Sequence, residues 1–168
     1  MNLPKLVILD VDYRPDSTVA AWILATGWKA VTTVDEGIVR GPKAVPYEPG
    51  LFYKRELPPI LEALKACEGR FDTIVIDGLV WVGEDKPGLG AHLYQALDRR
   101  YPVVGIAKNP YPGALAHAVR REASVQPLYV SAIGCEALPI VPWVRDMYGP
   151  HRIPFLLKRV DRLCRDAP

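Results

Sequence analysis

The sequence predicts a mixed α/β domain: an antiparallel meander first, βαβ units after it, and helices last. Three observations predict it. Three β-rich runs follow one another with short separations at the start, over 5–13, 18–26 and 30–39. Two continuous apolar runs, 72–77 and 102–107, then flank an amphipathic stretch, the pattern of parallel strands covered by a helix. Apolar residues make up 49% and charged residues 24% of 168 residues, which suits one ordinary domain able to bury roughly 70% of its unfolded surface.

The run KLVILDVDY at 5–13 ends in two carboxylates, and Gly27-Trp28-Lys29 separates the second and third strands. Residues 41–59 hold Pro42, Pro46, Pro49, Pro58 and Pro59 and read as a long irregular loop. Ile60, Leu61 and Leu64 have helical spacing, so a helix is predicted over 59–68 with Pro59 in its first turn. The strand 72–77 follows, then a helix over 88–99 with Leu89, Leu93 and Leu97 along one stripe, and the strand 102–107. One more strand is expected at 127–132, and helices at 136–148 and 154–165, parted by Gly149-Pro150. Seventeen prolines, about twice average usage, fall between these runs, and neither a repeat nor a domain boundary interrupts residues 1–168.

Several function classes are excluded. The longest stretch free of charge, 123–135, is 13 residues against the ~20 a bilayer crossing needs. Four apolar residues between Lys5 and Asp10 are too few for a signal-peptide core, and the expected location is the cytoplasm. Cys67, Cys135 and Cys164 are too scattered for a disulfide framework or a zinc knuckle, and G-x-x-x-x-G-K-[ST] is absent. The charge is uneven. Residues 1–100 carry 12 basic and 14 acidic side chains, residues 101–168 carry 9 and 5. The basic part suits phosphate or a solvated helix face, and the acidic part suits a cation.

Asp10 follows Leu6-Val7-Ile8-Leu9, and Asp77 follows Thr73-Ile74-Val75-Ile76. A carboxylate at the end of a buried strand is costly unless compensated, either by loop amides or by a hard cation such as Mg²⁺. Glu56, in the segment Phe52-Tyr53-Lys54-Arg55-Glu56, is a third candidate, and two-residue alternation puts Asp12 on the strand face of Asp10.

The run Tyr47-Glu48-Pro49-Gly50-Leu51-Phe52-Tyr53-Lys54-Arg55-Glu56-Leu57-Pro58 resembles the Y-x-P-G-x-L-x-F-R-E-x-P segment of the endonuclease V family. Asp10-Val11-Asp12-Tyr13 precedes it. Val75-Ile76-Asp77-Gly78, Gly88-Leu89-Gly90-Ala91-His92 and Val104-Gly105-Ile106-Ala107-Lys108 follow at the family's spacing. Pro127-Leu128-Tyr129-Val130-Ser131 comes next. The close, Arg152-Ile153-Pro154 with Lys158, Asp161 and Arg162, is similar to R-L-P-E-P-x-R-x-A-D-R.

The resemblance implies an RNase H-like fold, a mixed sheet with helices on both faces. It also implies Mg²⁺-dependent (or Mn²⁺-dependent) hydrolysis of the second phosphodiester bond 3′ to hypoxanthine, the base of inosine, in DNA or RNA. By the same resemblance Asp10, Glu56 and Asp77 are the metal carboxylates and Lys108 the active-site lysine. Tyr47 is the strand-separating wedge in a loop with Pro46, Pro49 and Gly50. Gly78 and His92 belong to segments expected beside the substrate, with a packing role as the alternative for His92. Two ions about 4 Å apart held by such carboxylates would activate water and neutralise phosphate charge, and an aromatic wedge fills the space of an extruded base.

The chain also departs from the family, and it is shorter than typical members. The interval 79–86 replaces an H-P-R-bearing segment, Ala91 replaces Ser, and Asp12 replaces a small residue. Cys135 or Gly134 falls where the resemblance places a catalytic His. Two functions are therefore expected: a working endonuclease, or a catalytically attenuated nucleic-acid-binding homologue that keeps the fold.

Overall fold

A computed structural model describes residues 5–121 and 124–168. The three opening runs form the expected meander, β1 (Leu6–Tyr13), β2 (Ser17–Ala25) and β3 (Asp35–Pro42). β3 begins five residues later than predicted because Trp28 is buried under the sheet and the chain turns around it. Next come α1 (Tyr53–Ala66), β4 (Thr73–Asp77), a short hairpin of β5 (Trp81–Gly83) and β6 (Lys86–Pro87), then α2 (Leu89–Ala96) and β7 (Val103–Ala107). The chain continues through β8 (His117–Val119), β9 (Leu128–Ile133), a 3-10 turn (Leu138–Ile140), α3 (Val141–Arg145) and α4 (Phe155–Arg165).

Seven strands make one sheet in the order β3-β2-β1-β4-β7-β9-β8. β1, β4 and β7 run parallel at its centre, while β2, β3, β8 and β9 pair antiparallel on either side. Alternation sorts the central strands onto two cores. Leu6, Ile8, Val75, Val104 and Ile106 face Leu156, Leu157, Val160 and Cys164 of α4. Val7, Leu9, Ile74, Ile76 and Val103 face Ile60, Ala63 and Leu64 of α1 and Leu89 and Leu93 of α2. Helices thus cover both faces, which is why the parallel strands read as unbroken apolar runs.

Two predicted elements need correction. The loop expected over 41–59 ends at residue 52, and α1 holds Pro58 and Pro59 inside it. Each proline removes one backbone N–H and costs up to ~3 kcal/mol in a helix interior, so the sequence reads as a later start. The buried stripe Ile60, Ala63 and Leu64 offsets that cost. The helix expected over 136–148 is a 3-10 turn and five residues of α3, since Pro139 and Pro142 prevent a continuous ladder.

Close approach decides one position. A Cβ on Gly105 would lie 2.4 Å from the Gly78 carbonyl oxygen and 3.0 Å from Ser131 Oγ. The bare backbone lets the turn after β4 lie over β7, and there the Val80 N–H donates to Ser131 Oγ at 3.0 Å.

Candidate active site

Parallel pairing of β1 with β4 runs to Leu9 opposite Ile76, so Asp10 and Asp77 stand next to each other at the carboxyl ends of adjacent strands. By alternation Asp10 follows Ile8, Asp77 follows Val75 and Lys108 follows Ile106, all toward α4. Lys108 Nζ lies 3.2 Å from Asp77 Oδ2. Together with Leu157 and Val160 of α4, these three line one small gap. Glu56 is delivered from the first turn of α1 rather than from a loop.

The carboxylates repel one another. Burial, then the charge of Asp77, pushes Asp10 up to about 7, against a hydrogen bond donated by the Val11 N–H at 2.9 Å. Burial, then Asp77 and Asp10, pushes Glu56 up to about 8. Burial pulls the Lys108 ammonium down, but Asp77, Asp10 and Asp161 outweigh it and hold it above its ordinary value. Tyr13 is raised by burial and by Glu56. Its buried hydroxyl faces Glu56 without making a hydrogen bond of ordinary geometry, and its ring lies 4.4 Å below the Arg55 guanidinium.

Asp161, on α4, is the residue that sequence reasoning missed in this role. It acts on Asp10 by hydrogen bonding and charge, and Arg165 Nε binds it at 3.0 Å. The available signal was a carboxylate at i+4 from Leu157, beside Val160, on the buried stripe of an amphipathic helix.

Asp77, Glu56 and Lys108 also line a cleft of about 530 Å³. Its lining is drawn from three stretches: Tyr47, Pro49, Gly50 and Phe52; Gly78, Leu79, Val82, Pro87 and Leu89; and Asn109, Pro110 and Tyr111. Tyr47, Phe52 and Tyr111 are about half exposed, with Tyr47 edge-on to Phe52 at 6.2 Å. Of the expected substrate residues, Tyr47, Pro49, Gly50 and Gly78 reach the cleft. Pro46 and His92 are not among its lining residues. His92 stacks at 3.5 Å on Tyr53, which itself lines the cleft, and burial lowers its pKa.

Three further placements bear on the sequence reading, and the second corrects it. Asp12 shares the strand face of Asp10 but is bound to Arg14 at 3.1 Å, and Arg14 also donates to the carbonyls of Cys164 and Ala167. Cys135 and Gly134 lie beyond the wrong end of β9. Because β9 runs antiparallel to β7, Tyr129 is beside Ala107 whereas Ile133 is beside Val103. The position expected for a histidine is therefore at the sheet end opposite Lys108. The interval 79–86, which stands in place of the family's H-P-R-bearing segment, forms the β5–β6 hairpin, whose Val82 lines the cleft.

A separate brace holds Lys108. The Arg152 guanidinium donates to the Lys108 carbonyl and to the Pro127 carbonyl at 2.8 Å. Among the described residues, no three His, Cys, Asp or Glu side chains are already gathered into a group that could hold a metal ion. Asp77 is turned to Lys108 instead. The chemistry of the donor set nevertheless fits a hard cation: Asp77 acts on both Asp10 and Glu56, Asp161 acts on Asp10, and the ionisation of Asp10 and Glu56 is pushed up to about 7 and about 8.

A meander paired in parallel with βαβ units, bearing carboxylates at the ends of β1 and β4, defines a protein of the RNase H-like class. The sequence pattern of the endonuclease V family matches residues 4–154. Endonuclease V of Methanopyrus kandleri is 33% identical over 178 residues, covering 94% of this chain and 76% of that protein. Among solved structures, endonuclease V of Streptomyces avermitilis superposes with a TM-score of 0.80 at 28% identity, over 98% of this chain and 81% of that one. That of Ciona intestinalis, in complex with a 24mer DNA containing an inosine followed by a ribo-adenosine, superposes at 0.81 with 17% identity, over 98% and 85%. The chain belongs to the endonuclease V family.

Proposed function

We propose that this protein is a Mg²⁺-dependent endonuclease, also served by Mn²⁺, that cuts a phosphodiester bond 3′ to hypoxanthine in DNA or RNA. The observation that carries the reading is the pair Asp10 and Asp77 at the ends of adjacent strands, with Glu56 and Asp161 within electrostatic reach, beside an aromatic-rimmed cleft that Glu56, Asp77 and Lys108 line. The inosine-containing DNA bound by the Ciona relative supports the substrate class.

Asp10, Glu56, Asp77 and Asp161 would hold the metal, which when bound lowers the pKa of its water and neutralises phosphate charge. The cleft takes the extruded base between Phe52 and Tyr111, while Tyr47 fills the gap left in the strand. Val82, Pro87 and Leu89 keep water from the base. The Lys108 ammonium moves from Asp77 to a phosphate oxygen, freeing Asp77 as a ligand. Glu56 and Asp10 retain protons near neutrality, so ligand capacity grows as they ionise with rising pH.

The Asp77–Lys108 ion pair also favours a second reading, a binding homologue in which that pair stays closed. A gel assay with matched inosine and adenosine single strands separates the two. Selective nicking of the inosine strand with Mg²⁺, abolished by Asp77→Ala, supports the endonuclease. Binding of the inosine strand with no nick under Mg²⁺ or Mn²⁺ supports the binder.

A further inference from the structure

A second cleft, about 490 Å³, is lined by Arg120, Arg121, Arg145, Asp146, Met147, Gly149 and His151. Its deepest cation is Arg121, only 4% exposed. The Arg121 guanidinium donates to five backbone carbonyls, those of Val144, Arg145, Met147, Gly149 and His151. Carbonyl dipoles solvate this charge but do not cancel it. Among the described lining residues the one acid is Asp146, and its carboxylate is taken by Arg145 at 3.1 and 3.3 Å. Lys29 and Arg121 also act on Asp146. The described lining therefore carries net positive charge, with Arg120 and Arg145 exposed to solvent around the buried Arg121.

One feature connects this wall to the acidic centre. His151, whose carbonyl is held by Arg121, precedes Arg152, whose guanidinium holds the Lys108 carbonyl. On the same loop Tyr148 is half exposed, its ring held edge-on to Phe155 at 5.8 Å. Tyr148 does not line the cleft but flanks its lining residues Met147 and Gly149, and cations with an exposed aromatic beside them form a common surface for single-stranded nucleic acid. The excess of basic side chains in residues 101–168 thus gains a location.

We infer that this cleft is a second contact site for the phosphodiester backbone of a single strand whose target base occupies the first cleft. Arg120 and Arg145 meet the phosphates, and Arg121 supports them from beneath. The inference rests on the nucleic-acid reading of the acidic centre.

The test is fluorescence anisotropy of a labelled inosine-containing single strand with the full-length protein, titrated with NaCl in EDTA. Each lost phosphate contact lowers the slope of log K against log salt by about 0.7 on single strands. Arg120→Ala and Arg145→Ala are each expected to show that drop, whereas Arg99→Ala, at an exposed position just beyond α2, keeps the wild-type slope. Asp146→Asn releases Arg145 and is expected to tighten binding several-fold, which loss of a merely structural contact would not do. Unchanged slopes in both arginine variants, or unchanged or weaker binding by Asp146→Asn, overturn the second site while leaving the first standing. Wild-type protein that binds no strand at all overturns both.

Discussion

Replacing Glu56 by Gln should stabilise the protein, and by an amount that depends on pH. In the unfolded chain this carboxyl ionises near 4.5, and in the folded protein at about 8, raised first by burial and then by Asp77 and Asp10. Between those values the native state holds a proton that the unfolded state has released, so stability falls as pH rises through that window. A pKa unit corresponds to 1.36 kcal/mol, so the full shift corresponds to roughly 4–5 kcal/mol. The amide of the variant has no such proton to lose and also relieves Asp10. At pH 4 the two proteins should unfold alike. By pH 9 the variant should be ahead by at least ~2 kcal/mol, or roughly 5 °C in Tm for a chain of this size. Thermal melts from pH 4 to 9 in EDTA measure it. With Mg²⁺ at high pH, wild type should gain more than the variant, since ligand binding stabilises only the state that binds. A gap that stays constant across pH, or that reverses at high pH, would refute the like-charge account of this site.

Asp161→Asn should lower Mg²⁺-dependent nicking at least ~10-fold with strand affinity kept, read by single-turnover gel assay. Arg152→Ala should slow nicking by about 10-fold through a lower kcat rather than a higher KM, and Arg152→Lys should recover part of it, because one donor to the Lys108 carbonyl survives. Gly105→Ala should cost about 1–3 kcal/mol in urea unfolding, the new methyl forcing the Gly78 turn away from β7. The wild-type nicking rate at fixed Mg²⁺ should rise from pH 6 to 8, as Asp10 and then Glu56 lose their protons.

The parts of this molecule most legible in its sequence are those where one local rule acts alone. Four apolar residues before Asp10 and a β-branched run before Asp77 announce buried strands with an uncompensated charge at their ends, and the two aspartates are indeed neighbours. Pro58 and Pro59 illustrate the opposite case. Local propensity argues against a helix there, and only the packing of Ile60, Ala63 and Leu64 on the sheet decides for one. Strand direction is a further blind spot. Gly134 and Cys135 sit close in sequence to Ser131, which supports the turn beyond Asp77, yet antiparallel β9 carries them away from Lys108. Asp161 was hidden for a similar reason: its partner Asp10 lies on the first strand, and no linear spacing encodes that meeting.

That long-range meeting has a consequence for how the protein is made. Asp161 follows Asp10 by 151 residues and sits on α4, so the two meet only after the whole interval between them has been made and α4 has docked. Arg14 then latches the first hairpin to the carbonyls of Cys164 and Ala167. A chain built this way lacks the contact between Asp10 and Asp161 until its closing helix docks.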